Sequence, residues 1–301
     1  MGIHASFGAL LVRAKERGAP FETTATIGRQ SLSVPMGNLA AWARRLGIAE
    51  PDWDSFAVDG YSEDFFGKML GATTVMSFDF SAYQGAGVVH DFNEPLPRAY
   101  HATCDAVVDG GSIEHIFDIK QVLSNYMALP KIGGDVHICT NANNVCGHGF
   151  YQFSPEFFYR VFSEANGYRI ETVCLIETPF HLVEKSARQR VFEVADPASV
   201  GKRMVIVNDK PVSIYVHARR VAERPLFAEP PYQSDYQGEW ADAAEDAGRD
   251  RGEAGARPSA DGAEPVRRFS YLSSGQALRR WLLQRRKNSL RNQKWFKPLV
   301  P

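Results

Sequence analysis

Carboxylates, imidazoles and amides crowd into one stretch of this 301-residue chain, between Asp79 and Gln152. Asp79, Asp91 and Asp109 each close an apolar run, in TTVMSFD, GVVHD and CDAVVD. An ionised carboxylate offers several lone-pair sites and no donor, so it suits a vicinal diol or an exocyclic amine. The pair Glu114-His115 follows in GGSIEHIF. Further on, NANNVCGHGFYQFSP places Asn143, Asn144, His148, Tyr151 and Gln152 in one Gly-punctuated loop. An imidazole titrates near neutral pH, which lets His148 or His115 take a proton from a hydroxyl or amine. Glu114 and the loop's amides and Tyr151 would hold a polar substrate beside them. Structural uses compete with each of these readings: Asp often ends a strand at a turn, His115 can cap a helix, and His148 can bond its own loop's backbone. No spacing among His90-Asp91, Asp109, Glu114-His115 and His148 matches a zinc or calcium ligand pattern, so no metal is expected. GxSxG, P-loop and HExxH motifs are absent from the sequence.

Rigid elements must present these groups. Apolar runs suggest strands near residues 22–28, 73–79, 87–91, 104–109, 134–140, 168–176 and 211–218. Helical patterns fall near 3–17, 38–46, 62–70, 117–129 and 155–165. This alternation predicts an α/β domain with a mostly parallel sheet of about seven strands and helices on both faces. In such sheets ligands bind outside the carboxyl ends of the strands, where the acidic residues lie.

Composition bounds the rest. An apolar content of 44% supports a real core, and a formal net charge of −1 gives no whole-chain bias toward nucleic acid. No run approaches the length of a membrane span, and the first residues lack the pattern of a secretory signal. Cys104, Cys139, Cys146 and Cys174 form no CxxC pair and read as reduced thiols, mostly in the core. The α/β domain is expected over 1–233. Residues 234–266 are acidic, rich in Ala and Gly and without apolar periodicity, which reads as a disordered linker. From 267 to 301 the charge reverses, with ten Lys or Arg and no acid. There Leu278, Trp281, Leu282 and Arg285 keep helical spacing, so a basic amphipathic helix is expected. The tail has several open partners: the chain's own domain or acidic linker, an anionic membrane surface, another protein, or nucleic acid. A cytoplasmic location follows, with a peripheral membrane contact among the open readings.

The order of these features resembles the class I S-adenosylmethionine-dependent methyltransferases. In that family an acid ends the second strand and takes the ribose hydroxyls, and a carboxylate after the third strand reads the adenine amine. A Glu-His segment often follows the fourth strand, and a Lys-Pro-Gly-Gly-like turn precedes the fifth. Asp79, Asp91, Glu114-His115 and Lys131-Ile132-Gly133-Gly134 stand here in that order. The Ser-Pro-Glu beginning at Ser154 also matches, as N-cap and N1 of the next helix. The string GHGFYQFSP resembles a loop of uncharacterised methyltransferase-like proteins. The resemblance implies S-adenosylmethionine as cofactor, held by Gly28, Arg29, Asp79, Asp91, Phe92, Asp109 and Gly110. It implies methyl transfer to an O or N atom of a small molecule or glycan, with His148 and His115 as bases. The first loop departs from the family: ATIGRQSLSVPMGNL keeps only Gly28 of the usual glycine cluster. Either Arg29 replaces the lost backbone contacts by reaching the cofactor's carboxylate, or the chain is a non-catalytic scaffold of the same fold. A third reading gives the same carboxylates to another nucleotide, such as a sugar nucleotide.

Overall fold

The computed structural model describes residues 2–49, 56, 60–179, 189–200, 204–236 and 289–299. The chain divides into two compact units. The first comprises Met1–Val194, Asp209–Pro231 and Lys297–Pro301, and the second Ala195–Asn208 and Tyr232–Phe296. Most of the expected acidic linker and basic tail, 237–288 together with 300–301, lies outside the described residues. In the second unit, helix Pro197–Val200 follows an Asp196 whose carboxylate accepts from the Ala198 N–H at 2.9 Å. Among the described residues no helix is long and apolar enough to cross a membrane.

The first unit opens with β1 (Gly2–His4) and α1 (Ala5–Glu16), followed by β2 (Thr23–Ile27) and β3 (Ser31–Ser33). Next come α2 (Met36–Arg45), a π-helical turn at Phe65–Met69, β4 (Thr74–Asp79) and β5 (Val88–Val89). Then follow β6 (Cys104–Asp109), α3 (Ile119–Ala128), β7 (Pro130–Asn143), α4 (Pro155–Val161) and β8 (Tyr168–Glu177). The order closes with β9 (Arg190–Val194), α5 (Pro197–Val200, already met in the second unit), β10 (Val212–Arg220) and β11 (Phe296–Leu299).

Local chemistry fixes several boundaries. The His4 ring accepts from the Phe7 N–H at the start of α1, and Gly18 ends that helix in the left-handed region, φ 88°. Asp118 caps α3 by accepting from Gln121 N–H at 2.9 Å. Ser154 caps α4, with Pro155 at its first turn, as the sequence indicates. The helix expected from residue 3 begins later because β1 pairs in parallel with β3, forming a small second sheet.

The main sheet runs β11-β9-β8-β10-β7-β6-β2-β4-β5. Strands β5, β4, β2, β6 and β7 run parallel to one another. The other half is antiparallel: β10 inserts between β7 and β8 and runs against both, and β9 pairs against β8. Among the described residues, the expected mostly parallel sheet of about seven strands is therefore a mixed sheet of nine. β10 is buried along most of its length. A strand covered on both faces reads as a continuous apolar run, and such a run carries no sign of direction.

One face of β6 presents Ala106 and Val108 to a cluster with Phe7, Leu11, Trp42 and Phe65 of α1, α2 and the π-turn. The alternate Val107, also buried, points to the other side, as strand periodicity requires. Cys104, Cys139 and Cys174 are buried free thiols and Cys146 is exposed. Burial pushes the thiols of Cys104 and Cys174 up to about 12, so both stay protonated and inert. Between β7 and β10 sits a buried ionic group. Asp135 faces Arg219 in register and accepts Nε and Nη2 at 2.8 and 2.9 Å. His217 Nε2 lies 3.2 Å from the same carboxylate, and its ring stacks on His137 at 4.3 Å.

Candidate functional site

β2 is central to the parallel half, with β4 on one side and β6 on the other. The chain therefore leaves β2 toward one edge and later returns to pair on the opposite side. That reversal opens a crevice at the carboxyl ends, the usual ligand position in open α/β sheets. A cleft of about 250 Å³ lies there. Its walls come from the ends of β2, β4 and β5 and from the turn after β6, including Gly28, Asp79, Asp91, Phe92, Ser112 and His115.

Gly28 turns the chain out of β2 with φ 73°, a conformation that favours glycine. Its N–H donates to Phe78 O at 2.6 Å, tying the two strand ends together. Gln30 donates its side-chain amide to Ile27 O, and Ser112 Oγ donates to the same carbonyl at 2.6 Å. Arg29 is turned elsewhere. Its guanidinium pairs with Glu63 at 2.6 Å, donates to Gln84 O at 3.1 Å and lies 3.8 Å above the Tyr61 ring. These partners replace the contact to a cofactor carboxylate expected from the sequence, and Arg29 does not line the cleft.

Asp79 ends β4 at the cleft wall, and its main-chain carbonyl accepts from His90 N–H at 2.8 Å. Asp91 accepts from the backbone and side-chain N–H of Asn93 at 2.9 and 2.8 Å. These donors hold its carboxyl below the usual range, so it is an anion at neutral pH. Phe92 is buried and meets Phe78 edge-on at 6.0 Å, which fixes the wall behind Asp91. His90 also lines the cleft, and its Nε2 is a buried nitrogen without a hydrogen-bond partner. A buried orphan of this kind is a ready contact for a polar ligand atom. His90 was not among the site residues read from the sequence; its position beside Asp91 was the available signal.

Asp109 and Gly110 do not meet the cleft as the sequence suggested. Asp109 is fully enclosed, accepting from the N–H groups of Gly111, Ser112 and Ile113 at 3.0, 2.6 and 3.0 Å. Tyr126 donates its hydroxyl to the same carboxyl at 2.9 Å. Burial, together with nearby Glu114, pushes Asp109 up to about 7 despite these donors. Its task is to hold the turn that carries Ser112, Glu114 and His115. Gly110 packs against β1, where an added Cβ would lie 2.9 Å from Gly2 O.

Glu114 is likewise buried, 2% exposed, instead of presenting its side chain to a substrate. Thr140 donates to its Oε2 at 2.8 Å and Asn141 to its Oε1 at 3.3 Å. Burial raises its pKa. His148 Nε2 stands 3.8 Å from Oε1, and the His148 and His115 rings lie 5.1 Å apart. Burial, followed by the charge of His148, lowers the pKa of His115. The candidate ligand atoms of Glu114, His115 and His148 all lie within 4.8 Å of one another. Their sequence spacing gave no hint of a ligand set, because the third member comes from the loop after β7 and meets the others only in the fold.

That loop commits several of its polar side chains to protein groups. Gln152 accepts from Val145 N–H at 3.1 Å, and Asn144 donates to Lys210 O at 2.7 Å. Tyr151 donates its hydroxyl to Phe117 O at 2.6 Å. Asn143 ends β7. Tyr151, Gln152 and Asn144 thus brace the loop where substrate contacts were expected. Asn141, in the loop expected to face the acceptor, and Thr140, not expected as a site residue, hold Glu114. Phe117 (71%) and Phe150 (65%) stand exposed on these segments, edge-on at 5.7 Å, and the exposed Phe80 (73%) lines the cleft after β4.

No family model and no curated protein matches this sequence. Solved structures similar to it include the 1,6-didemethyltoxoflavin-N1-methyltransferase of Burkholderia thailandensis, crystallised with S-adenosylhomocysteine (14% identity, 72% of this chain and 77% of that one, TM-score 0.38). An S-adenosylmethionine-dependent methyltransferase of Thermotoga maritima is 15% identical over 72% of this chain and 90% of its own, with a TM-score of 0.35. One from Aquifex aeolicus is 13% identical over 71% and 98%, with a TM-score of 0.31. At such TM-scores the likeness carries no weight for function, which rests on the geometry of the cleft.

Proposed function

We propose that this chain binds S-adenosylmethionine in the cleft at the ends of β2, β4 and β5 and transfers its methyl group to an O or N atom of a small molecule or glycan. The observation that carries the reading is the placement of two carboxylates, Asp79 and Asp91, around the switch between β4 and β6. The donor set fits such a nucleoside. Asp79 and the anionic Asp91 accept from hydroxyls or an amine, the orphan Nε2 of His90 supplies a further polar contact, and Phe92 and Ile116 give apolar walls. At Gly28 the main chain comes to the cleft without a side chain in the way.

When bound, the cofactor supplies an electrophilic methyl carbon on a sulfonium. The acceptor's lone pair forms the new bond to that carbon as the carbon–sulfur bond breaks, and the acceptor gives up one proton. The protein's share is to align donor and acceptor and to receive that proton. His115 lines the cleft and His148 stands beside it, so in this reading an imidazole takes the proton from the acceptor hydroxyl or amine. The acidic segment 234–266 would act as a linker and the basic segment 267–301 as a docking tail, anchored where its Phe296–Leu299 forms β11 of the main sheet.

Ligand carried through purification tests the reading. Extraction and mass analysis should find S-adenosylmethionine or S-adenosylhomocysteine in wild-type protein and much less in Asp91→Ala. A retained sugar nucleotide, with no S-adenosylhomocysteine binding, would overturn it.

A further inference from the structure

Glu114, His115 and His148 form a group that the methyl-transfer reading uses only in part. Two imidazoles and one carboxylate are a ligand set that suits zinc, iron, cobalt or nickel in the divalent state. We propose that these three residues bind one divalent first-row transition-metal ion at the mouth of the cleft.

The geometry is close to what a cation requires. Metal–nitrogen and metal–oxygen bonds of about 2.0–2.2 Å place neighbouring ligand atoms roughly 3–3.5 Å apart. Here His148 Nε2 and Glu114 Oε1 are already 3.8 Å apart, and all three ligand atoms fall within 4.8 Å. The remaining difference is within the reach of ring rotation, because both histidines are exposed and their rings are tilted by 53°, free of a stacked arrangement.

The carboxylate is the fixed partner. Thr140 pins Oε2 and Asn141 approaches Oε1, as second-shell groups orient a ligand. A buried carboxylate calls for a cation, and the ion-pair partner described for Glu114 is His148. Gly149, in the left-handed region, lets the loop after β7 close on Glu114, where an added Cβ would sit 2.6 Å from Glu114 O.

The second group of similar composition lacks these properties. Asp135, His137 and His217 also converge. Arg219, however, already takes both oxygens of Asp135, and the two rings stack at 26°. A cation there would face a guanidinium and two rings turned face to face.

Three protein ligands leave coordination positions open, the pattern of catalytic rather than structural sites. His115 faces the cleft, so an open position would face it too. Phe80 lines the cleft, and the exposed pair Phe117 and Phe150 stands on the segments that carry His115 and His148, which suits an acceptor with an aromatic or apolar body and an oxygen that can ligate the metal. That acceptor role rests on the methyl-transfer reading, while the cation site stands on its own residues. With the cation bound, both imidazoles serve as ligands. In the metal-bound protein the acceptor hydroxyl would then lose its proton at the metal to water, in place of the imidazole that would take it in the metal-free protein.

The test uses tag-free, full-length protein stripped with a chelator. Co²⁺ is titrated and followed by visible absorption, and Zn²⁺ by calorimetry, for wild type, His115→Ala, His148→Ala and the remote control His101→Ala. Folding is checked by circular dichroism. We expect one tight equivalent in wild type and in the control, and a loss of about tenfold or more in affinity in each ligand variant. Thr140→Val, which leaves the ligands in place, should weaken binding by about tenfold. Folded wild type that takes up no Co²⁺ or Zn²⁺, or equal uptake by the His115 and His148 variants, would overturn the site. S-adenosylhomocysteine is titrated in parallel into the stripped protein. Metal uptake without it would sink the methyl-transfer reading alone, and the reverse would sink the cation site alone.

Discussion

Removing Arg219 should test how the antiparallel insertion is held in the sheet. Arg219 on β10 stands opposite Asp135 on β7 and donates to both its oxygens. Asp135 is 0% exposed, and its carboxyl is held down to about 2 from 3.8. Burial alone would raise it; the two hydrogen bonds from Arg219, with His217 close by, outweigh that. The depression corresponds to about 2 kcal/mol of stability. Because the folded value is depressed, this stability is present above pH 3.8 and lost as the pH falls through about 2. Arg219→Met keeps the aliphatic stem and strands a buried carboxylate, which costs about 3–5 kcal/mol at pH 7. Urea unfolding between pH 2.5 and 7 is the assay. The variant should lose most at pH 7 and recover toward wild type as Asp135 becomes protonated, since its pKa now lies higher. A loss below about 1 kcal/mol at pH 7, or a deficit that does not depend on pH, would refute the reasoning.

Three further outcomes follow from the site. Tyr126→Phe removes the hydroxyl donor to Asp109 and should cost about 1.5–3 kcal/mol in urea melts. Asp109 is raised in the folded state, so its contribution falls as the pH climbs from 3.8 to about 7; losing the Tyr126 donor should extend that decline upward, which a pH series of melts would read. Asp91→Ala removes the anionic acceptor in the cleft and should weaken S-adenosylhomocysteine binding by about 10- to 100-fold by calorimetry, with the fold intact. Gly149→Ala forces a side chain against Glu114 O and into a left-handed backbone, so metal uptake and activity should both fall while the sheet's circular dichroism is retained.

Much of the scaffold was legible in the sequence, because apolar runs and caps are local. β6 matches the expected 104–109, and Ser154-Pro155 marks the start of α4. The direction of β10 was not legible, because an apolar run covered on both faces looks alike in either direction. β1 and β3 are three residues each and depend on pairing with one another, which periodicity does not register. Among the candidate ligand residues, Asp79 and Asp91 do line the cleft, since strand ends place them there. Arg29, Asp109 and Glu114 went elsewhere for reasons the sequence does not carry. Arg29 finds Glu63 and Tyr61 across a long connection, Asp109 turns back on its own backbone amides, and Glu114 is enclosed by Thr140 and Asn141. Residue type announced a charged group in each case, and only packing decides whether it faces ligand or protein.

The most direct test of the account is calorimetric titration of S-adenosylmethionine and S-adenosylhomocysteine into the purified chain, with Asp79→Ala beside wild type. Wild type should bind both ligands saturably, and the variant should lose that binding. Wild-type protein that is folded and binds neither ligand at millimolar concentration would contradict it.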